Sequence, residues 1–194
     1  MLWMGSVPVF CATTEGQTYR IASEIAATLR QQGFVSEVHC LSEAMPPIDW
    51  VNVRGVVVGA SIHAGRHQRI AVEFARREAP HLSVRPSAFF SVSLSAASRN
   101  PAEVDAARGL AVSFGRQVGW QPTRILSVAG ALAYSRYGFL TRQIMRCIAW
   151  REGAPTDTSR DYEFTDWNAV RQFALDVALD VVRKAGPAAV RPAV

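Results

Sequence analysis

Apolar and polar positions along the chain follow two alternating periods. Nearly continuous apolar runs occur at residues 7–11, 55–60, 87–94 and 124–132, and the stretch 34–41 alternates around Val35, Val38 and Cys40. Between these runs, apolar residues recur three and four positions apart. Ile21, Ala22, Ile25, Ala26 and Leu29 do so in 18–32, Ile70, Phe74 and Ala75 in 69–79, and Leu110, Ala111, Phe114 and Val118 in 100–118. A further helical stretch spans 167–184. Short apolar runs read as strands covered on both faces, and the longer periodic segments as amphipathic helices. Punctuation agrees: Gly33 stops the first helix, Met45-Pro46-Pro47 breaks the second strand, Asn100-Pro101 starts a helix, and Thr165-Asp166 and Gly186-Pro187 bracket the last one. Five strands alternating with helices predict a doubly wound parallel α/β sheet. Ligands in such sheets sit at the carboxyl ends of the strands. The loops after the first, third and fourth strands, at 13–18, 60–66 and 91–97, are therefore expected to converge.

The first of these loops carries the clearest chemistry. Ala12-Thr13-Thr14-Glu15-Gly16-Gln17-Thr18 joins an apolar strand to an amphipathic helix. Freed backbone N–H groups, threonine hydroxyls and a helix N-terminus together make a phosphate cradle. The loop holds no lysine and no G-x-G-x-x-G, so it is neither a Walker A loop nor a dinucleotide fingerprint. A phosphate gripped by neutral donors suggests a monoester such as that of flavin mononucleotide. An ordinary strand–turn–helix with a capping threonine has the same pattern.

The stretch 133–164 is far longer than the usual connection of about 2–6 residues. It carries Arg136, Arg142, Arg146 and Arg151 before the first acid, Glu152. Leu140, Ile144, Cys147 and Ile148 fall on one helical face, with Arg142 and Arg146 on another. A basic amphipathic helix suits a membrane interface or a lid over an acidic apolar ligand; a packing helix with solvated arginines would look the same. Charge widens the picture: the 194 residues carry a net +5, almost all of it arginine, with Lys184 the lone lysine. A basic surface favours anionic partners, and arginine binds carboxylates bidentately. No basic, aromatic-interleaved strand or recognition helix supports a nucleic-acid binder. Cys11, Cys40 and Cys147, with four histidines, show no metal-ligand spacing, so no metal is expected, and Cys11 and Cys40 are expected to be buried core thiols. The absence of a signal sequence and of a bilayer-spanning apolar run predicts a cytoplasmic protein.

Several stretches together resemble the flavodoxin-type, menaquinone-dependent protoporphyrinogen oxidase family of bacteria. They are Thr-Thr-Glu-Gly-Gln-Thr at 13–18 with Ile21-Ala22-Ser23, Val58-Gly59-Ala60-Ser61-Ile62, and residues 87–94. Ala129-Gly130-Ala131-Leu132 with Arg136-Tyr137, Thr156-Asp157-Thr158 and Phe164-Thr165-Asp166-Trp167 complete the match. The resemblance implies a flavodoxin-like sheet in the order 2-1-3-4-5 and a single domain over 1–186. The basic helical insertion at about 133–164 follows the fifth strand, and 187–194 form a disordered tail. It implies FMN as cofactor. Thr13, Thr14, Glu15, Gly16, Gln17 and Thr18 would hold the phosphate. Ser61, Ile62, His63, Ala64 and Gly65 would line one side of the ring, and Ser93, Leu94, Ser95 and Ala96 the other. The implied activity is oxidation of protoporphyrinogen IX to protoporphyrin IX in haem biosynthesis, with electrons passed to menaquinone or ubiquinone. The redox chemistry belongs to the cofactor, and no catalytic side chain is assigned. Arg66, Arg99, Arg136, Arg142 and Arg146 are candidate partners for substrate carboxylates or lipid headgroups, in peripheral contact with the inner face of the cell membrane. A homo-oligomer is left open. This sequence departs from the family at Ala12, where a hydroxyl residue is expected, and at His63-Ala64-Gly65, which lacks a tyrosine. An electron-carrying flavodoxin and an NAD(P)H:quinone reductase on the same fold are the alternatives.

Overall fold

Each central strand buries both of its faces, and this sets the architecture. In the computed structural model, which describes residues 5–132 and 157–185, strand β1 (Val9–Ala12) is buried along its whole length. Its Val9 and Cys11 face one helical layer and its Phe10 and Ala12 the other. Strand β3 (Val56–His63) and strand β5 (Ser87–Ser93) repeat the pattern, sending Val57, Phe90 and Val92 to the first layer and Val56, Val58 and Phe89 to the second. Helices α1 (Gln17–Gln31) and α4 (Trp167–Ala185) cover the first face, and α2 (Arg69–Ser83) and α3 (Pro101–Val118) the second.

The five parallel strands lie in the order β2-β1-β3-β5-β6, where β2 is Val38–Cys40 and β6 is Arg124–Ala129. This is the crossover order expected from the sequence. Two-layer burial requires close approach at Gly59, where an added Cβ would fall 2.0 Å from the ring of buried Phe90. The two layers differ in kind. The α1/α4 side is mainly aliphatic, whereas the α2/α3 side stacks Phe89 on Phe114 at 4.1 Å, with Trp120 edge-on to both. Trp120 donates its indole N–H to the Ser87 hydroxyl at 2.9 Å, so burying that ring leaves no orphan donor. On the open edge, Arg124 of β6 reaches α4, bonding Asp180 at 2.7 and 3.0 Å and Asp176 at 3.1 Å. These bonds hold the Asp180 carboxyl below the usual carboxylate range.

Four expectations are corrected. The second strand is confined to Val38–Cys40; Val35 makes only an isolated bridge with Ser6, and the Ser36 hydroxyl donates to the Val7 carbonyl at 2.7 Å. Helix α2 runs on through Pro80 to Ser83, packing Leu82 into the core. The fifth strand breaks at Gly130. Beyond it, Ala131–Leu132 (β7) leaves the main sheet and pairs antiparallel with Tyr162–Glu163 (β8). The segment read as a loop after the third strand is instead a hairpin: β3 continues to His63 and folds back into β4 (Arg66–His67). The basic helix expected at 133–164, with Arg136, Arg142 and Arg146, and the 187–194 tail lie outside the described residues, except that 157–164 are described. The Asn100-Pro101 start of α3 is as expected, with the Asn100 side chain accepting from the Ala102 N–H at 3.1 Å.

Candidate functional site

At the carboxyl end of β1 the chain enters its left-handed residue, Gly16 (φ 89°), which turns it into α1. The Thr13 hydroxyl accepts the Gly16 N–H at 3.0 Å and closes the loop on itself. Helix α1 then begins with no side-chain cap and no acid in its first turn, which leaves its N-terminal N–H groups and positive dipole end facing outward. Thr18, at the second position of α1, is only 2% exposed.

An open cleft lies against this loop. Thr13, Glu15, Gln17 and Thr18 form its floor, Ser61, Ile62 and His63 one wall, and Ser93 and Leu94 the other. The three segments singled out from the sequence therefore meet. Val92, from the expected 91–97 segment, also lines it; Gly130 and Ala131 complete the lining and were not among the candidates, and the break at Gly130 brings them in. Thr14 is exposed and its hydroxyl accepts from the Gln68 side chain at 2.6 Å. Ala64 and Gly65 sit at the exposed hairpin tip, while Ser95 and Ala96 form a short 3-10 turn just past the wall, anchored by the Ala96 N–H on the Ser93 hydroxyl. Arg66 and Arg99 are both exposed.

The hairpin wall is fastened from beneath. Ala64 (φ 49°) and Gly65 (φ 73°) make a two-residue turn with both residues left-handed, the type I′ geometry that suits the twist of a hairpin. At its base His67 bonds the buried Ser91 hydroxyl at 2.9 Å and meets the rings of Phe114 and Phe89 edge-on, at 5.0 and 5.4 Å. Burial lowers the His67 pKa to about 4, so the imidazole is neutral near pH 7. At the rim His63 bonds the Ser61 hydroxyl at 3.0 Å. Sequence reasoning gave His67 no role, because its partners are 22 to 47 positions away and only the fold brings them together.

Gln17 links the floor to the β7–β8 ribbon. Its amide donates to Glu163 at 2.9 Å and to Thr165 at 2.8 Å, and the Thr165 hydroxyl donates to the Ala129 carbonyl. A second recess shares Glu15, Gln17 and Ala131 with the cleft and is completed by Arg20, Asp161, Tyr162 and Glu163.

With this geometry in view, the comparisons with known proteins decide the kinship. A family model described as Flavodoxin domain matches residues 9–159. The chain belongs to the flavodoxin-domain family. It is 36% identical over 174 residues to the protoporphyrinogen IX dehydrogenase [quinone] of Escherichia coli strain K12, covering 88% of this chain and 93% of that protein. A protein of the same name from Leishmania major is 33% identical over 172 residues, covering 86% of this chain and 72% of its own length. Among solved structures, oxidised flavodoxin 1 from Bacillus cereus superposes with a TM-score of 0.55 at 16% identity, over 90% of this chain and 97% of that one. A flavodoxin, WrbA-like protein from Agrobacterium tumefaciens gives 0.52 at 16%, over 93% and 98%. These structural likenesses speak to the fold. The flavodoxin domain points to a flavin cofactor, and the residues present fit one: an uncapped helix start and a cleft between two walls, with Thr18 among its lining. Among the described residues no group of side chains could hold a metal ion, and no helix is long and apolar enough to cross a membrane.

Proposed function

We propose that this protein is an FMN-dependent oxidoreductase that converts protoporphyrinogen IX to protoporphyrin IX and delivers the electrons to a membrane quinone, menaquinone or ubiquinone. The observation that carries the reading is the near-full-length kinship to protoporphyrinogen IX dehydrogenases [quinone] in a chain whose strand ends meet at a lysine-free cradle. The N–H groups at the start of α1 and the Thr18 hydroxyl hold the phosphate, with Thr13 shaping the loop and Gln17 bracing it. Ser61, Ile62 and His63 flank one side of the ring, and Ser93 and Leu94 the other. When bound, the flavin supplies a two-electron acceptor for hydride and a donor to quinone. The chain's own part is to orient the cofactor between the two walls and to place the positive end of α1 against the phosphate. Ser61 fixes the His63 imidazole at the rim. Arg66 and Arg99, with Arg136, Arg142 and Arg146 of the insertion, are the cations offered to substrate carboxylates or anionic lipid, in keeping with peripheral attachment to the cytoplasmic face of the membrane.

Anaerobic mixing of FMN-loaded protein with protoporphyrinogen IX tests this directly. Flavin absorbance falls as porphyrin fluorescence rises, and added quinone restores the oxidised flavin. Flavin that stays oxidised in the presence of substrate overturns the reading.

A further inference from the structure

Two cysteines stand side by side at the foot of the phosphate loop. Cys11 of β1 and Cys40 of β2 are direct partners in the parallel register. Neighbouring strands lie about 4.7–4.9 Å apart, inside the Cα window of about 4.4–6.8 Å that disulfides require. Register partners send their side chains to the same face, and the two sulfurs are 4.0 Å apart. The two environments are unequal. Cys11 is fully buried in the aliphatic layer, where burial pushes its thiol up, while Cys40 is exposed on a three-residue edge strand. Among the described residues β2 has no strand on its outer side.

From this pairing we infer that Cys11 and Cys40 form a reversible intramolecular disulfide, an oxidation site unrelated to the flavin chemistry proposed above. The oxidant is a hydroperoxide such as hydrogen peroxide. The exposed Cys40 sulfur attacks one peroxide oxygen, the O–O bond breaks, and water leaves as Cys40 becomes a sulfenic acid. The Cys11 sulfur then attacks the Cys40 sulfur, the S–O bond breaks, and a second water leaves as the S–S bond forms. Two thiols lose two electrons and two protons, and the peroxide takes them up. Cys11 lies two positions ahead of Thr13, so the linkage sits at the root of the phosphate loop.

The test is peptide mapping of the full chain after a stoichiometric dose of hydrogen peroxide. Cleavage after arginine places Cys11, Cys40 and Cys147 in different peptides. The expected product is a linked Cys11–Cys40 peptide pair, two hydrogens lighter than the sum of its parts and released by dithiothreitol. In Cys11→Ala, Cys40 instead accumulates as a sulfenic acid that dimedone traps, at least fivefold above the wild-type yield. Either of two results overturns the inference. One is Cys40 advancing to sulfinic acid, or pairing with Cys147 or a second chain, while Cys11 stays free. The other is dimedone trapping equal in wild type and variant. The wild-type map decides the matter even if the variant folds poorly.

Discussion

The floor of the cleft and its hairpin wall are built on opposite plans. The floor is local: one hydroxyl, Thr13, bonds an N–H three positions on, and a left-handed glycine opens a helix that begins with no side-chain cap. The wall depends on distant support. Its turn is formed by Ala64 and Gly65, but its base rests on His67, held by Ser91 and wedged against Phe89 and Phe114. A local motif positions hydrogen-bond donors cheaply, whereas a wall that must lie against a planar ligand needs a rigid footing in the core. Changes beneath the hairpin should therefore move stability and the wall together, and changes in the floor should move phosphate recognition alone.

The largest effect is expected from Phe114→Ala. This ring is 1% exposed, stacks on Phe89 and supports His67, so its removal leaves a cavity under the wall. Chemical denaturation should register a loss of about 3–5 kcal/mol. A loss below about 1 kcal/mol would mean the aromatic layer is not the footing of the wall.

Next comes pH. His67 titrates near 4 when folded and near the ordinary imidazole value of 6.5 when unfolded. Between those values the unfolded chain binds the extra proton, so this stability is present above pH 6.5 and is lost as pH falls toward 4. The loss is at most about 3.5 kcal/mol at roughly 1.4 kcal/mol per pH unit, and less where solvent reaches the ring. His67→Gln should flatten this dependence between pH 6.5 and 4 while lowering stability at pH 7 by about 1–3 kcal/mol, because the Ser91 bond is disturbed. Denaturation midpoints across that range check it; an unchanged slope in the variant would remove His67 from the account.

The smallest effect concerns the tip. Ala64 holds a left-handed φ of 49°, a region that disfavours most side chains. Ala64→Asn, whose side chain tolerates that conformation next to Gly65, should raise stability by about 0.5–1 kcal/mol, read as a small rise in Tm. A fall in Tm would show that the tip is not a type I′ turn under strain.

These differences explain what was legible in the sequence. The alternation of short apolar runs with helical periods conveyed the doubly wound sheet, because burial on both faces imposes its signature on every central strand. The lysine-free loop was legible because its hydroxyls, glycine and helix start are contiguous. The hairpin was not: Ile62-His63-Ala64-Gly65-Arg66-His67 has no Asn-Gly or Asp-Gly signal, and the ladder that pairs Ile62 with His67 is visible only once the chain is folded. The break at Gly130 was missed for a similar reason. Arg124 to Leu132 is uniformly strand-like, and what diverts its last two residues is pairing with Tyr162 and Glu163, some thirty positions later. Gln17 likewise looked like one more loop donor, although its amide spans to Glu163 and Thr165.

The central claim is that uncharged donors at the end of β1 grip the terminal phosphate of a flavin nucleotide. Titration of the apoprotein with FMN and with riboflavin, in wild type and in Thr18→Val, measures that grip. The account predicts that wild type binds FMN far more tightly than riboflavin. It also predicts that Thr18→Val weakens FMN by about 1.5–3 kcal/mol, as expected for a hydrogen bond to a charged acceptor, and leaves riboflavin affinity unchanged. Equal affinity for the two ligands in wild type, or an equal loss of both in the variant, would contradict it.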